Sequence, residues 1–360
     1  MKKNNLKKLL TIGLMAVFAT GCLAGCGTKP VSSENISTVS AAATPDDAGN
    51  GSTVLTGEGL NEATTIVLGY QAGMGLFELD SKTHFVEDFF ANEGIEVKWE
   101  LFTYGPPMME ALASGDIDIA TGLGAAPALT SYANGSDVEF IYQQISDFSS
   151  VGVIVREDSG ITSLEDLKGK KVATAVGSAA HISFLQGLEL HGLSEADIEV
   201  VNLAAADQLT PLIAGEIDAA ATWEPFTSQI AGAEGLTDIW RISDDNVISP
   251  AVIAANATFA HQNPEIVAKY IQVFRQYEKD ALEDSQPVID ALVEATGNPE
   301  STYVSYTRLE TYEPFNEGQI DALEYNINYL YENDLIENNF DVHAPINTTY
   351  YEEALRLENN

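Results

Sequence analysis

The sequence predicts an α/β fold of two facing lobes, joined at a hinge of two chain crossings, and three observations carry that prediction. Leu112-Ala113-Ser114-Gly115-Asp116-Ile117-Asp118-Ile119-Ala120 returns as Leu212-Ile213-Ala214-Gly215-Glu216-Ile217-Asp218-Ala219-Ala220. Each copy reads as a helix end, a glycine able to take the left-handed cap conformation, and a short buried strand. A second echo lies upstream: strand Thr65–Gly69 enters Tyr70-Gln71-Ala72-Gly73, and strand Lys171–Ala175 enters Val176-Gly177-Ser178-Ala179. Two similar units of about 80–90 residues suit two lobes that close on something small. Third, Val247-Ile248-Ser249-Pro250-Ala251-Val252-Ile253 reads as a return crossing into the first lobe.

The elements follow in order. Ile66-Val67-Leu68 is a strand, Phe85 to Asn92 a helix, Ile95 to Trp99 the next strand, and Met108 to Ser114 a helix closed by Gly115. After the strand Phe140-Ile141-Tyr142 the chain runs through Ser146-Asp147-Phe148-Ser149-Ser150 into the strand Val151–Val155, and the alternation repeats through Trp240. The last third is mostly helical, over Pro264–Tyr277, Gln286–Ala295, Gln319–Tyr331 and Tyr350–Leu357. Asn263-Pro264-Glu265 supplies a capping residue, a proline in the first turn and an acid near the positive end of the helix dipole. Lobe I is expected over 63–148 and lobe II over 149–250, with 251–360 returning to lobe I and ending in the helical tail.

The amino terminus reads as an export signal over residues 1–25. Lys2, Lys3, Lys7 and Lys8 precede an apolar stretch from Leu9 to Thr20, too short for a comfortable membrane span. Leu23-Ala24-Gly25-Cys26 resembles a bacterial lipobox, with Cys26 as the residue to be lipidated; Ala19-Thr20-Gly21-Cys22 is the weaker alternative. Residues 26–62 carry almost no large apolar side chain and read as a disordered tether reaching on the order of 30 Å. Both cysteines lie in this region, so the rest of the chain has no disulfide or thiolate metal site. The net charge is −37, and without the four signal lysines 13 Lys and Arg face 54 Asp and Glu. Such acidity opposes nucleic acid and acidic membrane surfaces as partners. An anionic ligand would have to be held by local dipoles.

Ligands in open α/β sheets bind where strands end and helices begin. Four such loops are visible, and Gly177-Ser178-Ala179-Ala180-His181 is the most pointed. Its glycine lets the backbone approach closely, and the helix start offers free N–H groups and a positive dipole end. Ser178 adds a hydroxyl and His181 lies in the first turn, although Ser178 reads equally as a plain helix cap.

Leu164-Glu165-Asp166-Leu167-Lys168-Gly169-Lys170-Lys171-Val172-Ala173, followed by Val176 to His181, resembles the substrate-binding proteins of ABC importers for aliphatic sulfonates, taurine and nitrate. Gly69-Tyr70-Gln71, the Glu110–Asp118 segment, Trp223-Glu224-Pro225 and Ala260–Val267 fit the same family in the same order. The resemblance implies a periplasmic-binding-protein-like (type II) fold. It also implies an extracytoplasmic, lipid-anchored receptor that hands a small organic anion, an aliphatic sulfonate or taurine-like compound, to an ABC permease with its ATPase. It places ligand contacts at Gln71, at Gly124, Ala125, Ala126 and Pro127, at Gly177, Ser178, Ala179 and His181, and at Trp223, which would cover the apolar part. Asp147 and Glu224 would pair with an ammonium if the ligand is zwitterionic. Alanines at 125, 126, 179 and 180, where relatives often carry hydroxyls, favour an organic sulfonate over nitrate or sulfate. The competing reading is a thiamine-pyrimidine precursor or other heteroaromatic nutrient, stacked by Trp223, Tyr70 and Phe77.

Catalysis finds no motif. There is no Gly-x-Ser-x-Gly, Walker loop or His-Glu-x-x-His, and the five histidines lack metal-ligand spacing. Ser178 and His181 share one helix start without a third partner. No cofactor is expected.

Overall fold

The computed structural model describes residues 63–71, 81, 84–143, 151–247, 249–297, 300 and 314–359. The signal segment, the tether with Cys26, and the expected site or stacking residues Asp147 and Phe77 lie outside the described residues.

Ten strands form two sheets. They are Thr65–Gln71 (β1), Glu96–Phe102 (β2), Ile119–Gly124 (β3), Val138–Gln143 (β4), Val151–Arg156 (β5), Lys171–Thr174 (β6), Glu199–Asn202 (β7), Ala219–Trp223 (β8), Leu236–Arg241 (β9) and Ala251–Asn256 (β10). The first sheet has the order β2-β1-β3-β10-β4 and the second β7-β6-β8-β5-β9. The two orders are the same pattern. In each, four strands run parallel and one antiparallel strand that arrives from the other sheet is inserted among them: β10 between β3 and β4, β5 between β8 and β9. The chain therefore crosses twice, between β4 and β5 and between β9 and β10, and the expected two-lobed α/β fold is the one adopted.

The repeated motif has a specific task. Gly115 and Gly215 take φ of 79° and 73° and close the helices Gly105–Ser114 (α2) and Leu209–Ala214 (α5). Behind them, Asp118 N–H donates to the Val67 carbonyl at 2.8 Å while its carboxylate accepts from Val67 N–H at 2.8 Å. Asp218 does the same to Lys171, at 2.8 and 2.9 Å. Each aspartate thus clips together the start of a parallel strand pair, satisfying groups that the ladder leaves open. Burial raises the Asp118 carboxyl above its usual range, against the Val67 hydrogen bond that lowers it. Leu112 and Leu212, the first residues of the two copies, are fully buried. Each contributes roughly 1.5–3 kcal/mol by leaving water.

Helices cover both sheets: Phe85–Ala91 (α1), Ala125–Ala133 (α3), Ala179–Leu190 (α4), Phe226–Ala231 (α6), Ala257–Gln262 (α7), Pro264–Glu283 (α8), Ser285–Thr296 (α9), Glu317–Glu332 (α10) and Thr349–Glu358 (α11). Strand alternation divides the first sheet's side chains between two cores. Ile66 and Leu68 pack with Tyr270, Phe274 and Tyr350 of α8 and α11, whereas Val67 faces a cluster containing Met108, Leu123 and residues of the second lobe. That shared cluster joins the lobes.

Residues 125–127 begin a helix, with Pro127 inside its first turn where no intrahelical N–H is needed. The return crossing enters strand at Ala251, after Pro250, which cannot donate to a ladder. One local expectation changes. Asn263 does not cap α8 with its side chain: its Oδ1 accepts from Ala63 N–H at 3.1 Å and its Nδ2 donates to Phe259 O at 3.0 Å.

At the far end of α4, His191 bridges two carboxylates. Its Nδ1 lies 2.9 Å from Glu165 Oε1 and its Nε2 3.0 Å from Asp245 Oδ2, which also accepts from Trp240 Nε1 at 2.7 Å. The hydrogen bond to Glu165 is the largest influence and raises the imidazole above its usual range; burial opposes it, and the hydrogen bond and charge of Asp245 add to the rise. The folded state therefore holds this proton more tightly than the unfolded chain. The resulting stability is complete below about pH 6.5 and is lost as pH rises through the raised value. Thermal unfolding across that range is expected to show a fall in His191-containing protein that His191→Gln flattens. An unchanged slope in the variant would remove His191 as its source.

Candidate functional site

The loops that leave the strand ends meet between the two sheets. In the first lobe, β3 ends at Gly124 and α3 starts at Ala125; in the second, the turn after β6 carries Gly177 and Ser178 into α4. The antiparallel strands hold these ends. Gly124 pairs with Ala251, the first residue of β10, and Trp223 pairs with Val151, the first residue of β5. Ala125 N–H donates to the Pro250 carbonyl at 2.7 Å. Both strand ends therefore sit beside a crossing, where a hinge rotation acts on them directly.

The Gly177 turn is organised from within. Gly177 has φ of 81°, and its N–H donates to His181 Nδ1 at 3.2 Å. Ser178 caps α4, its Oγ accepting from His181 N–H at 3.1 Å, and Asn202 Oδ1 accepts from Val176 N–H at 3.1 Å. The amides of Ala179 and Ala180 at the start of α4, and of Ala126 at the start of α3, have no hydrogen-bond partner among the described residues. Such amides carry the positive ends of their helices.

His181 is placed differently from a ligand-facing histidine. Only 3% of it is exposed. Because Nδ1 accepts from Gly177, the ring proton sits on Nε2, which lies 3.8 Å from Glu195 Oε1, beyond hydrogen-bond reach. Burial pushes this imidazole down to about 4, so the ring is neutral at ordinary pH. His181 positions the turn.

Gln71 ends β1 and is buried; its Nε2 donates to the Gly122 carbonyl at 2.7 Å, leaving Oε1 as an acceptor. Thr121 Oγ1 donates to Gly69 O at 2.8 Å, tying the same two strands. Trp223 is 8% exposed and stands edge-on to Phe226, with ring centres 5.9 Å apart. Its indole N–H has no partner among the described residues. Trp223, Ala125, Ala126 and Ala180 belong to one apolar cluster. Tyr70 packs against the other first-lobe cluster, edge-on to Trp99 at 5.6 Å.

Glu224 presents no spare charge. Arg241 Nη1 lies 2.6 Å from Glu224 Oε1, which also accepts from Ser228 Oγ at 2.9 Å, while Oε2 accepts from Ser228 N–H at 3.1 Å. Arg241 also pairs with Asp238. The carboxylate anchors the start of α6, so the ammonium partner expected at this position is already a protein guanidinium. Sequence reasoning missed Arg241. Its signal was available in the repeat, since β9 ends at Arg241 beside β5 as β4 ends at Gln143 beside β10.

Two five-stranded lobes exchanging one antiparallel strand each, with facing loops at the crossings, define a two-lobed, periplasmic-binding-protein-like fold. The NMT1/THI5-like family model matches residues 86–287, more than half of the chain, and the chain belongs to that family. A putative aliphatic sulfonates-binding protein of Bacillus subtilis (strain 168) is 25% identical over 297 residues, covering 81% of this chain and 88% of the relative. The taurine-binding periplasmic protein of Escherichia coli (strain K12) is 27% identical over 230 residues, covering 63% and 68%. The alkanesulfonate-binding protein SsuA of Xanthomonas axonopodis pv. citri, solved with MOPS bound, shares the fold at a TM-score of 0.73. It is 23% identical, with 80% of this chain and 99% of that one covered. The desulfurization enzyme DszB also shares the fold, at 0.62 and 16% identity, over 82% and 99%. The architecture therefore hosts both binding proteins and an enzyme. Among the described residues no helix is long and apolar enough to cross a membrane, and no cluster of His, Cys, Asp and Glu could hold a metal.

Proposed function

We propose that this chain is the extracytoplasmic solute-binding component of an ABC importer and that its ligand is a small organic sulfonate. The observation that carries this reading is that the starts of two helices from different lobes, with unbonded amides at Ala126, Ala179 and Ala180, come together at the contact of Gly124 with Ala179, while the buried Trp223, its N–H also unbonded, ends the strand beside the first crossing. Amide dipoles suit a sulfonate's oxygens, and the surrounding alanines with Trp223 suit an alkyl chain. The names of the relatives support the same class. Binding across both lobes stabilises the closed form by differential affinity, and the closed form is what a permease would recognise. A non-enzymatic role agrees with the buried, neutral His181 and with a serine committed to capping. Export and lipid attachment at Cys26 belong to the same proposal, and the mass of the mature chain reads them.

Trp223→Ala is expected to weaken binding of hexanesulfonate by more than tenfold, about 1.4 kcal/mol. Calorimetric titration of both proteins measures it, with circular dichroism confirming that the variant folds. An affinity equal to that of the parent would take Trp223 out of the site.

A further inference from the structure

At one contact between the two lobes neither side carries more than a methyl group. A Cβ built on Gly124 would lie 2.2 Å from the Cβ of Ala179, 0.8 Å inside the 3.0 Å below which real Cβ contacts essentially never occur. Gly124 has φ of −61° and ψ of 143°, a conformation open to any residue. Its glycine answers to close approach across the lobes, and backbone freedom plays no part.

Neither side can yield by turning a side chain. Gly124 is paired to Ala251, the next residue's N–H donates to the Pro250 carbonyl, and Ala179 directly follows the capping Ser178. The obstacle is a methyl group fixed to a helix backbone. A neighbouring contact has the same character: a Cβ on Gly177 would come 3.2 Å from Pro106 Cγ of the first lobe. Without the Ala179 methyl, the nearest Ala179 atom to a Cβ at 124 would be its Cα, at 3.6 Å, an ordinary contact.

We propose that Gly124 and Ala179 form a steric stop that sets how far the lobes close, and so limits the size of the ligand enclosed beside them. The proposal rests on the solute-binding reading for its consequence and on geometry alone for the stop. Adding a methyl at 124 holds the lobes apart; moving the methyl from 179 to 124 restores the fit.

The test uses the full chain and three variants: Gly124→Ala, Ala179→Gly and the double exchange. Spin labels carried by non-natural residues at positions 98 and 168, both exposed and one in each lobe, report the interlobe distance with and without MOPS. Gly124→Ala is expected to shift the distance in the closed population by about 2 Å or more, because a hinge magnifies a local separation. It is also expected to weaken MOPS binding at least tenfold. The double variant is expected to return to the parent distance, and Ala179→Gly alone to close further than the parent, because it removes the methyl that faces Gly124. Parent-like behaviour of Gly124→Ala, or a double variant as displaced as the single one, would overturn the stop. If the distances behave as expected while the parent binds no sulfonate, the stop stands and the sulfonate reading falls.

Discussion

Replacing Arg241 with methionine is expected to destabilise the protein by about 3 kcal/mol, the largest effect of any single change at the site. The guanidinium is 21% exposed and holds Glu224 and Asp238, which are 15% and 27% exposed. Removing it leaves two half-desolvated carboxylates facing each other without a cation. Partial exposure keeps the loss at the lower end of what a fully buried pair would cost. A second consequence is mechanical. The Arg241 stem lies across Gly152, where a Cβ would meet its Cδ at 2.9 Å, so the same side chain braces the start of β5 just after the first crossing. Urea unfolding gives the loss directly. Adding Glu224→Gln to Arg241→Met is expected to recover part of it, by removing one uncompensated charge. A loss below about 0.5 kcal/mol would mean that water screens the cluster as it does an ordinary surface pair.

The second large effect is a dependence on pH. His181 is depressed to about 4 by burial, whereas an unfolded histidine titrates near 6.5. The unfolded chain therefore binds the extra proton first, and stability falls as pH drops from about 6.5 towards 4. The slope from this one group is about 1.4 kcal/mol per pH unit, reaching about 3 kcal/mol in all. Other carboxylates also contribute to acid unfolding, so the measurement is a difference. His181→Asn keeps an acceptor near the Gly177 N–H and cannot titrate. Its stability between about pH 6.5 and 4.5 is expected to fall less steeply than the parent's, even if its absolute stability is lower. Parallel slopes would show that His181 is not the proton acceptor. The effect opposes that of His191, whose stabilisation disappears on the alkaline side.

The fold was legible because its signals are local and repeated. A helix closed by glycine, followed by an aspartate that clips a parallel strand, needs the same residue types in both lobes, and the chain writes them one hundred positions apart. The loop positions of Gly124, Gly177, Ser178 and Trp223 followed from the same repeat, since they stand where strands give way to helices. What stayed hidden was direction. Composition and spacing do not say that His181 turns back to Gly177, that Glu224 is held by Arg241, or that Tyr70 packs in a different core from Trp223. Tyr70 was in principle readable, because neighbouring residues of a strand alternate faces and Gln71 already claims the other. The contact between Gly124 and Ala179 was not, because it joins residues 55 positions apart on different lobes and depends on the spacing of two rigid bodies.

The most direct test of the account is a calorimetric titration of the full chain with matched pairs of ligands. Taurine is set against β-alanine and hexanesulfonate against heptanoate, so that within each pair the sulfonate is exchanged for a carboxylate. The account expects one-to-one binding of at least one sulfonate, at least tenfold tighter than its carboxylate counterpart. Equal binding of both members would reduce the amides of Ala126, Ala179 and Ala180 to a general anion contact. Binding of a pyrimidine thiamine precursor with no response to any sulfonate would contradict the central claim and give the cleft to an aromatic ligand.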